Sequence, residues 1–169
     1  KISRIRGIAY AARVSPQAPN RVIDCAKGKL LKHVHDVYLY SDHFKGVESG
    51  LSPGFGLCLV AETTTGCVKS AELMAKPRQM PEKLASKCVK MILHEAAHQG
   101  CIDSSNQSFA FLYMLLCSTD VSKIRLGKLT PYSIACLKTL YQFFSRKFKL
   151  APVEGESLVD VSCLGIGYQ

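Results

Sequence analysis

Apolar and polar positions alternate with period two over residues 55–62. Phe55, Leu57, Leu59 and Ala61 fall on one side of an extended chain; Gly56, Cys58, Val60 and Glu62 fall on the other. The preceding Ser52-Pro53-Gly54 is a turn signal, because proline presets φ and glycine accepts backbone conformations that side chains resist. The stretch predicts a tight turn feeding a buried strand, and its two glycines allow something to approach the backbone closely. Thr65-Gly66 turns the chain into a second strand over 67–75, completing a hairpin. Upstream, 2–14 reads as a strand closed by Ser15-Pro16. Residues 21–32 read as a helix opened by Pro19 or Asn20, with Val22, Ile23, Ala26, Leu30 and Leu31 toward a core. Residues 36–41 alternate as a short aromatic strand, 42–53 form a polar loop, and 77–81 form a linker.

Residues 82–98 carry the clearest helical spacing, through Leu84, Cys88, Met91, Ile92 and Glu95, with Gly100 as the stop. A second helix, over 106–116, is apolar enough to expect burial on most sides. A strand follows over 122–126. Thr130, directly before Pro131, caps a helix over 131–144, and 148–153 with 158–164 close as a strand pair. The order is β-α-β-β-β-α, then, past a break near Gly100, α-β-α-β-β. The fold class is mixed α/β (α+β), and no internal repeat is visible.

Composition adds a bias. The chain has 169 residues, 47% of them apolar, and no apolar run approaches the ~20 residues of a membrane-spanning helix. No membrane partner is expected. The eight cysteines are scattered and form no CxxC pair, so they read as small apolar residues in a reducing compartment. Lys and Arg number 22 against 13 Asp and Glu, a net charge of +9. Such a surplus favours polyanionic neighbours, while solvated lysine faces explain it equally well.

His94-Glu95-Ala96-Ala97-His98 matches HExxH, which on a helix sets two zinc ligands on one face with the glutamate as general base. The third ligand is missing. No histidine follows His98, Gly100 comes one residue early for the metzincin spacing, and the next glutamate is Glu154. Neither a zinc metalloprotease nor any other metal site is expected. There is no GxSxG elbow and no P-loop, and Asp103, Asp120, Glu154, Glu156 and Asp160 show no two-metal spacing.

As whole strings, IRGIAYAARVSPQAPNRVID, SPGFGLCLVAETTTG, GCIDSSNQS and LTPYSIACLKTL resemble the RNA 3'-terminal phosphate cyclase-like proteins. These are the ribosome-biogenesis branch of the RNA 3'-phosphate cyclase superfamily, and the resemblance runs over the whole chain. It implies the C-terminal half of a longer protein. Residues 1–99 would be a thioredoxin-like inserted domain, and 100–169 the last two-helix, four-stranded repeat of the cyclase core.

The resemblance also implies a chemistry. Active cyclases attack ATP with a histidine, pass AMP to an RNA 3'-phosphate, and let the vicinal 2'-hydroxyl displace it to leave a 2',3'-cyclic phosphate. Tyr132 stands at that nucleophile's position, and a phenol of pKa near ~10 is mostly protonated at neutral pH. Asn106-Gln107 stands where cyclases carry Asp-Gln at the AMP site, a degenerate pocket. No catalytic residue and no cofactor are expected. What the resemblance leaves is a non-cyclizing factor for small-subunit (18S) pre-rRNA processing in the nucleolus. Its partners would be a ribosome-assembly GTPase, small-subunit processome proteins and pre-rRNA. The alternative is an endoribonuclease that cleaves pre-rRNA. Contact residues are expected in the polar loop at His43, Lys45 and Glu48, and near the last helix at Lys138, Arg146, Lys147 and Lys149.

Overall fold

The computed structural model describes residues 1–168 and divides into two compact units, Lys1–Ala97 and the chain from His98 onward. Gln169, the end of the second expected domain, lies outside the described residues. The first unit runs β1 (Ile2–Ala12), α1 (Gln17–Leu30), β2 (Val37–Phe44), a 3-10 turn (Gly46–Ser49), β3 (Gly54–Thr63), β4 (Val68–Met74) and α2 (Pro81–Ala97). Its sheet has the order β2-β1-β3-β4; β1 and β2 are parallel across the α1 crossover, and β3 and β4 are antiparallel. A βαβ unit joined to a ββα unit is the thioredoxin-like layout that the family resemblance implies. Leu57, Leu59 and Ala61 face inward as their alternation predicts. They pack with Ile5 and Ala9 of β1, Val22, Ala26 and Leu30 of α1, and Leu84, Cys88 and Ile92 of α2.

Two boundaries differ from the sequence reading by more than two residues. Helix α1 starts at Gln17, so Pro19 lies inside its first turn. A helix's first N–H groups have no intrahelical partner, so a proline there costs no hydrogen bond. Strand β2 continues through residues read as loop, pairing Asp42 with Tyr10, His43 with Ala11 and Phe44 with Ala12. It is an edge strand, where polar residues are tolerated. The close approach that β3's glycines allow is made by a side chain of the same unit. The Tyr10 ring lies over Gly56, where a Cβ would collide with it. The Tyr10 hydroxyl donates to Glu72 at 2.8 Å. Burial first, and Glu72 second, push that phenol up.

The second unit holds α3 (Gln107–Leu116), β5 (Val121–Leu126), α4 (Pro131–Phe144), β6 (Lys149–Pro152) and β7 (Val159–Leu164). Its antiparallel sheet has the order β5-β7-β6 and buries Val161 and Cys163 against Phe111, Leu115, Leu126 and Leu140. These are the two helices and three strands that the pattern marks. A fourth strand, implied by the resemblance, is not among the described residues. The cap is as read: Ser133 N–H donates to Thr130 Oγ1 at 3.0 Å. Burial of α3 on most sides is not observed, since Phe109 and Tyr113 are exposed. Among the described residues no helix is long and apolar enough to cross a membrane.

Candidate functional site

The two residues expected at a degenerate nucleotide pocket, Asn106 and Gln107, stand at the start of α3, and Gln107 alone reaches the start of α4. Asp103 is buried and accepts from the N–H groups of Ser105 at 3.1 Å and Asn106 at 3.0 Å. The Asn106 side chain donates to both Asp103 oxygens, at 2.9 and 3.0 Å. The carboxylate thus turns the chain into α3, and the Asn106 amide reinforces that turn. Gln107 is 1% exposed. Its Nε2 donates to the Lys128 carbonyl at 3.2 Å, and its Oε1 accepts from Ser133 Oγ at 2.6 Å. Ser133 Oγ lies 2.8 Å from the Thr130 hydroxyl. Gln107 is therefore a buried strut between two helix starts, with both ends of its amide used. Tyr132 is beside this strut in sequence but points outward, 71% exposed, and among the described residues its hydroxyl makes no hydrogen bond.

The polar-loop candidates split. His43 belongs to β2, is half-buried, and has Nε2 2.9 Å from the Val14 carbonyl. A carbonyl only accepts, so Nε2 carries the proton and the ring is committed to the backbone. Lys45 and Glu48 are exposed as expected. Lys45 lines a shallow groove with Arg13, Phe44 and Val47.

The basic residues around α4 do not form one cluster. Lys138 and Lys147 line a groove of 320 Å³ with Ile134, Leu137, Tyr141 and Phe148, and Lys147 Nζ is 5.8 Å from the Tyr141 ring centre. Lys149 lies on β6 in a separate groove with Lys123, Arg125 and Asp160, where Arg125 binds Asp160 through two nitrogens at 2.6 and 2.8 Å. Arg146 is exposed between α4 and β6.

Helix α2 ends at Ala97, leaving His98 of the HExxH string outside it. The Glu95 carbonyl accepts from Lys69 Nζ at 2.6 Å. Among the described residues no three His, Cys, Asp or Glu side chains stand together as ligands. All eight cysteines are free thiols; Cys88 and Cys163 are buried, Cys117 is exposed, and the other five are half-buried. Burial, then nearby Cys58 and Glu72, push the Cys88 thiol up to about 12. It is a packing residue, inert as a nucleophile.

Sequence reasoning missed the outer face of the first sheet. Tyr38, Tyr40 and Phe44 are exposed there, the two tyrosine rings 4.7 Å apart. The ion pairs Arg4–Glu62 and Arg6–Asp36, each 2.7 Å, flank them. Hydrogen bonding from Arg6 holds the Asp36 carboxyl below its ordinary range. The signal was present in the alternation of 37–40, which sets both tyrosines opposite Val37 and Leu39.

Comparison with known proteins gives this geometry a family. Residues 1–97 match the model for the RNA 3'-terminal phosphate cyclase (RTC) insert domain, the same span as the first compact unit. A probable RNA 3'-terminal phosphate cyclase-like protein of Dictyostelium discoideum is 52% identical over 184 residues, covering 100% of this chain and 50% of that protein. The RNA 3'-terminal phosphate cyclase-like protein of Homo sapiens is 48% identical, covering 99% of this chain and 48% of its own length. A Schizosaccharomyces pombe protein named rRNA processing protein rcl1 is 38% identical, covering 99% and 47%. The chain spans about half the length of the curated relatives it matches. It belongs to the RNA 3'-terminal phosphate cyclase family and carries that family's insert domain.

Proposed function

We propose that this chain is part of a non-cyclizing ribosome-biogenesis factor acting in small-subunit (18S) pre-rRNA processing. The observation that carries the reading is 38% identity, over 99% of the chain, to the S. pombe protein whose name is rRNA processing protein. The residues supply the non-cyclizing part. Tyr132 stands where the cyclases hold their nucleophilic histidine, and a phenol is a poor nucleophile at neutral pH. Asn106 replaces an acid, and the Gln107 amide is occupied in holding two helix starts together.

On this reading the chain from Gly100 is the last repeat of the large domain. The protein works in the nucleolus within the small-subunit processome, with a ribosome-assembly GTPase and pre-rRNA as partners. Lys45 and Glu48, with Lys138, Arg146, Lys147 and Lys149, are contact residues. His43, bonded to a backbone carbonyl, supports the turn beside them.

The test uses the full-length protein, tagged and purified from cells. Small-subunit rRNA precursors and a large GTPase are expected to accompany it, and its depletion to leave 18S precursors unprocessed. Recovery of neither, with normal 18S maturation, would overturn the reading. A labelled AMP adduct formed with ATP would overturn its non-cyclizing part. Site-specific cutting of pre-rRNA by the purified protein alone would replace it with the endoribonuclease alternative.

A further inference from the structure

Lys83, Lys87 and Lys90 on α2 are four and three residues apart. That spacing lines them along one side of the helix over about 10 Å. The line lies opposite the buried side made by Leu84, Ala85, Cys88, Val89 and Ile92, so all three lysines are exposed. Helix α1 runs alongside in the same direction. Arg21 pairs with Glu82 at 2.7 Å, and Cys25 Sγ lies 3.8 Å from Ser86 Oγ. Continuing this register places Lys29 level with Lys90, and Lys32 lies just past the end of α1.

All five lysines are exposed, and among the described residues none of them forms an ion pair. Of the acids on the two helices, Glu82 pairs with Arg21, while Asp24 and Glu95 form no ion pair with these lysines. Neither helix carries a Phe, Tyr or Trp; the one aromatic ring on them is the exposed imidazole of His94, four residues past Lys90. The outer face of the sheet is the reverse case, with tyrosines between arginines already neutralised by Glu62 and Asp36.

We propose that the α1–α2 face binds the phosphate backbone of duplex RNA without reading its sequence. Cations without ion-pair partners, spaced along two packed helices, suit a rigid, evenly charged polyanion, and each phosphate neutralised releases condensed counterions. Sites for single strands add several rings on which successive bases stack, and this face offers no Phe, Tyr or Trp. A-form duplexes are recognised mainly through backbone and shape, which is what such an array can contact. The inference rests on the rRNA-processing reading and deepens it by naming a surface and the form of RNA it takes.

The experiment titrates full-length protein against duplex RNA of about 20 base pairs in two unrelated sequences, a single strand of equal length, and poly-glutamate, between about 50 and 200 mM salt. Both duplexes are expected to bind alike and more tightly than the single strand. The variant Lys83→Gln/Lys87→Gln/Lys90→Gln, changed only at exposed positions, should keep its melting temperature. It should lose about 2 to 3 from the log–log salt slope, and roughly tenfold or more in affinity. Equal binding by the variant, no duplex binding, or tighter binding of the single strand or of poly-glutamate overturns the proposal. Failure here with 18S processing still dependent on the protein condemns this surface alone. Lysine-dependent duplex binding in a protein dispensable for 18S maturation leaves the surface standing and removes the processing reading.

Discussion

The helices of the two units present opposite chemistry to their surroundings. Helices α1 and α2 turn an apolar side inward and lysines outward, and residues 1–97 hold fifteen Lys and Arg against eight Asp and Glu. Residues 98–169 hold seven against five. There α3 and α4 carry apolar side chains nearly all the way round, and Phe109, Tyr113, Tyr132, Ile134, Tyr141 and Phe143 stay exposed. A helix apolar on every side belongs in a buried setting, and apolar surface gathered in this way marks a contact face. The first unit closes its own core and offers charge. The second has a smaller core and offers rings and hydrocarbon. A single figure of +9 for the chain hides this division, and charge in the second unit is nearly balanced.

The comparison breaks most directly at Phe111, which is fully buried and meets Phe148 edge-on at 5.7 Å between ring centres. Phe111→Ala is expected to cost about 3–5 kcal/mol, the usual range for emptying a buried aromatic site. Urea denaturation measures the loss, and amide exchange should rise in α3 and α4. A loss below about 1 kcal/mol would mean that the second unit is not held by this core.

Lys69 tests the other side of the comparison. The residue is 3% exposed, the one buried lysine among the described residues, and its ammonium donates to the Glu95 carbonyl near the end of α2. A cation at a helix's carbonyl end satisfies groups that the helix itself leaves unpaired. Lys69→Met keeps the length and removes the donor, and is expected to cost about 2 kcal/mol, the range for a hydrogen bond to a charged group. Exchange should quicken at residues 91–97. An unchanged denaturation midpoint would show that α2 is fixed by packing alone.

What was legible in the sequence was local. The β3 alternation could be read because one side of that strand is buried, so each second residue had to be apolar. Thr130-Pro131 could be read because a cap is a contact between residues three apart. Pro19 misled because it looks like a helix opener yet is equally acceptable two residues further in. Residues 42–44 misled because an edge strand needs no apolar alternation. Gln107 drew attention through its place in a family motif, but its role depends on Ser133 and Lys128, more than twenty residues away. The spacing of the α2 lysines was visible too. What was hidden was that α1 packs beside α2 with Arg21 on Glu82, a register that brings Lys29 level with Lys90.

The two smallest expected effects refine the contrast. Gly28 lies on the exposed side of α1, and a Cβ added there meets nothing within 4 Å. Gly28→Ala should stabilise the first unit by about 0.5–1 kcal/mol, through helix propensity alone, seen as a higher denaturation midpoint. Phe143 then gives the sharpest comparison, because it shares its residue type and its unit with Phe111 and differs in burial. It is 80% exposed near the end of α4. Little apolar area is returned to water when it is removed, so Phe143→Ser should change stability by no more than about 0.5 kcal/mol. Measured beside Phe111→Ala under the same denaturant, it should move the midpoint by a small fraction as much. A loss comparable to that of Phe111 would show Phe143 covered in solution, and the second unit would then be as closed as the first.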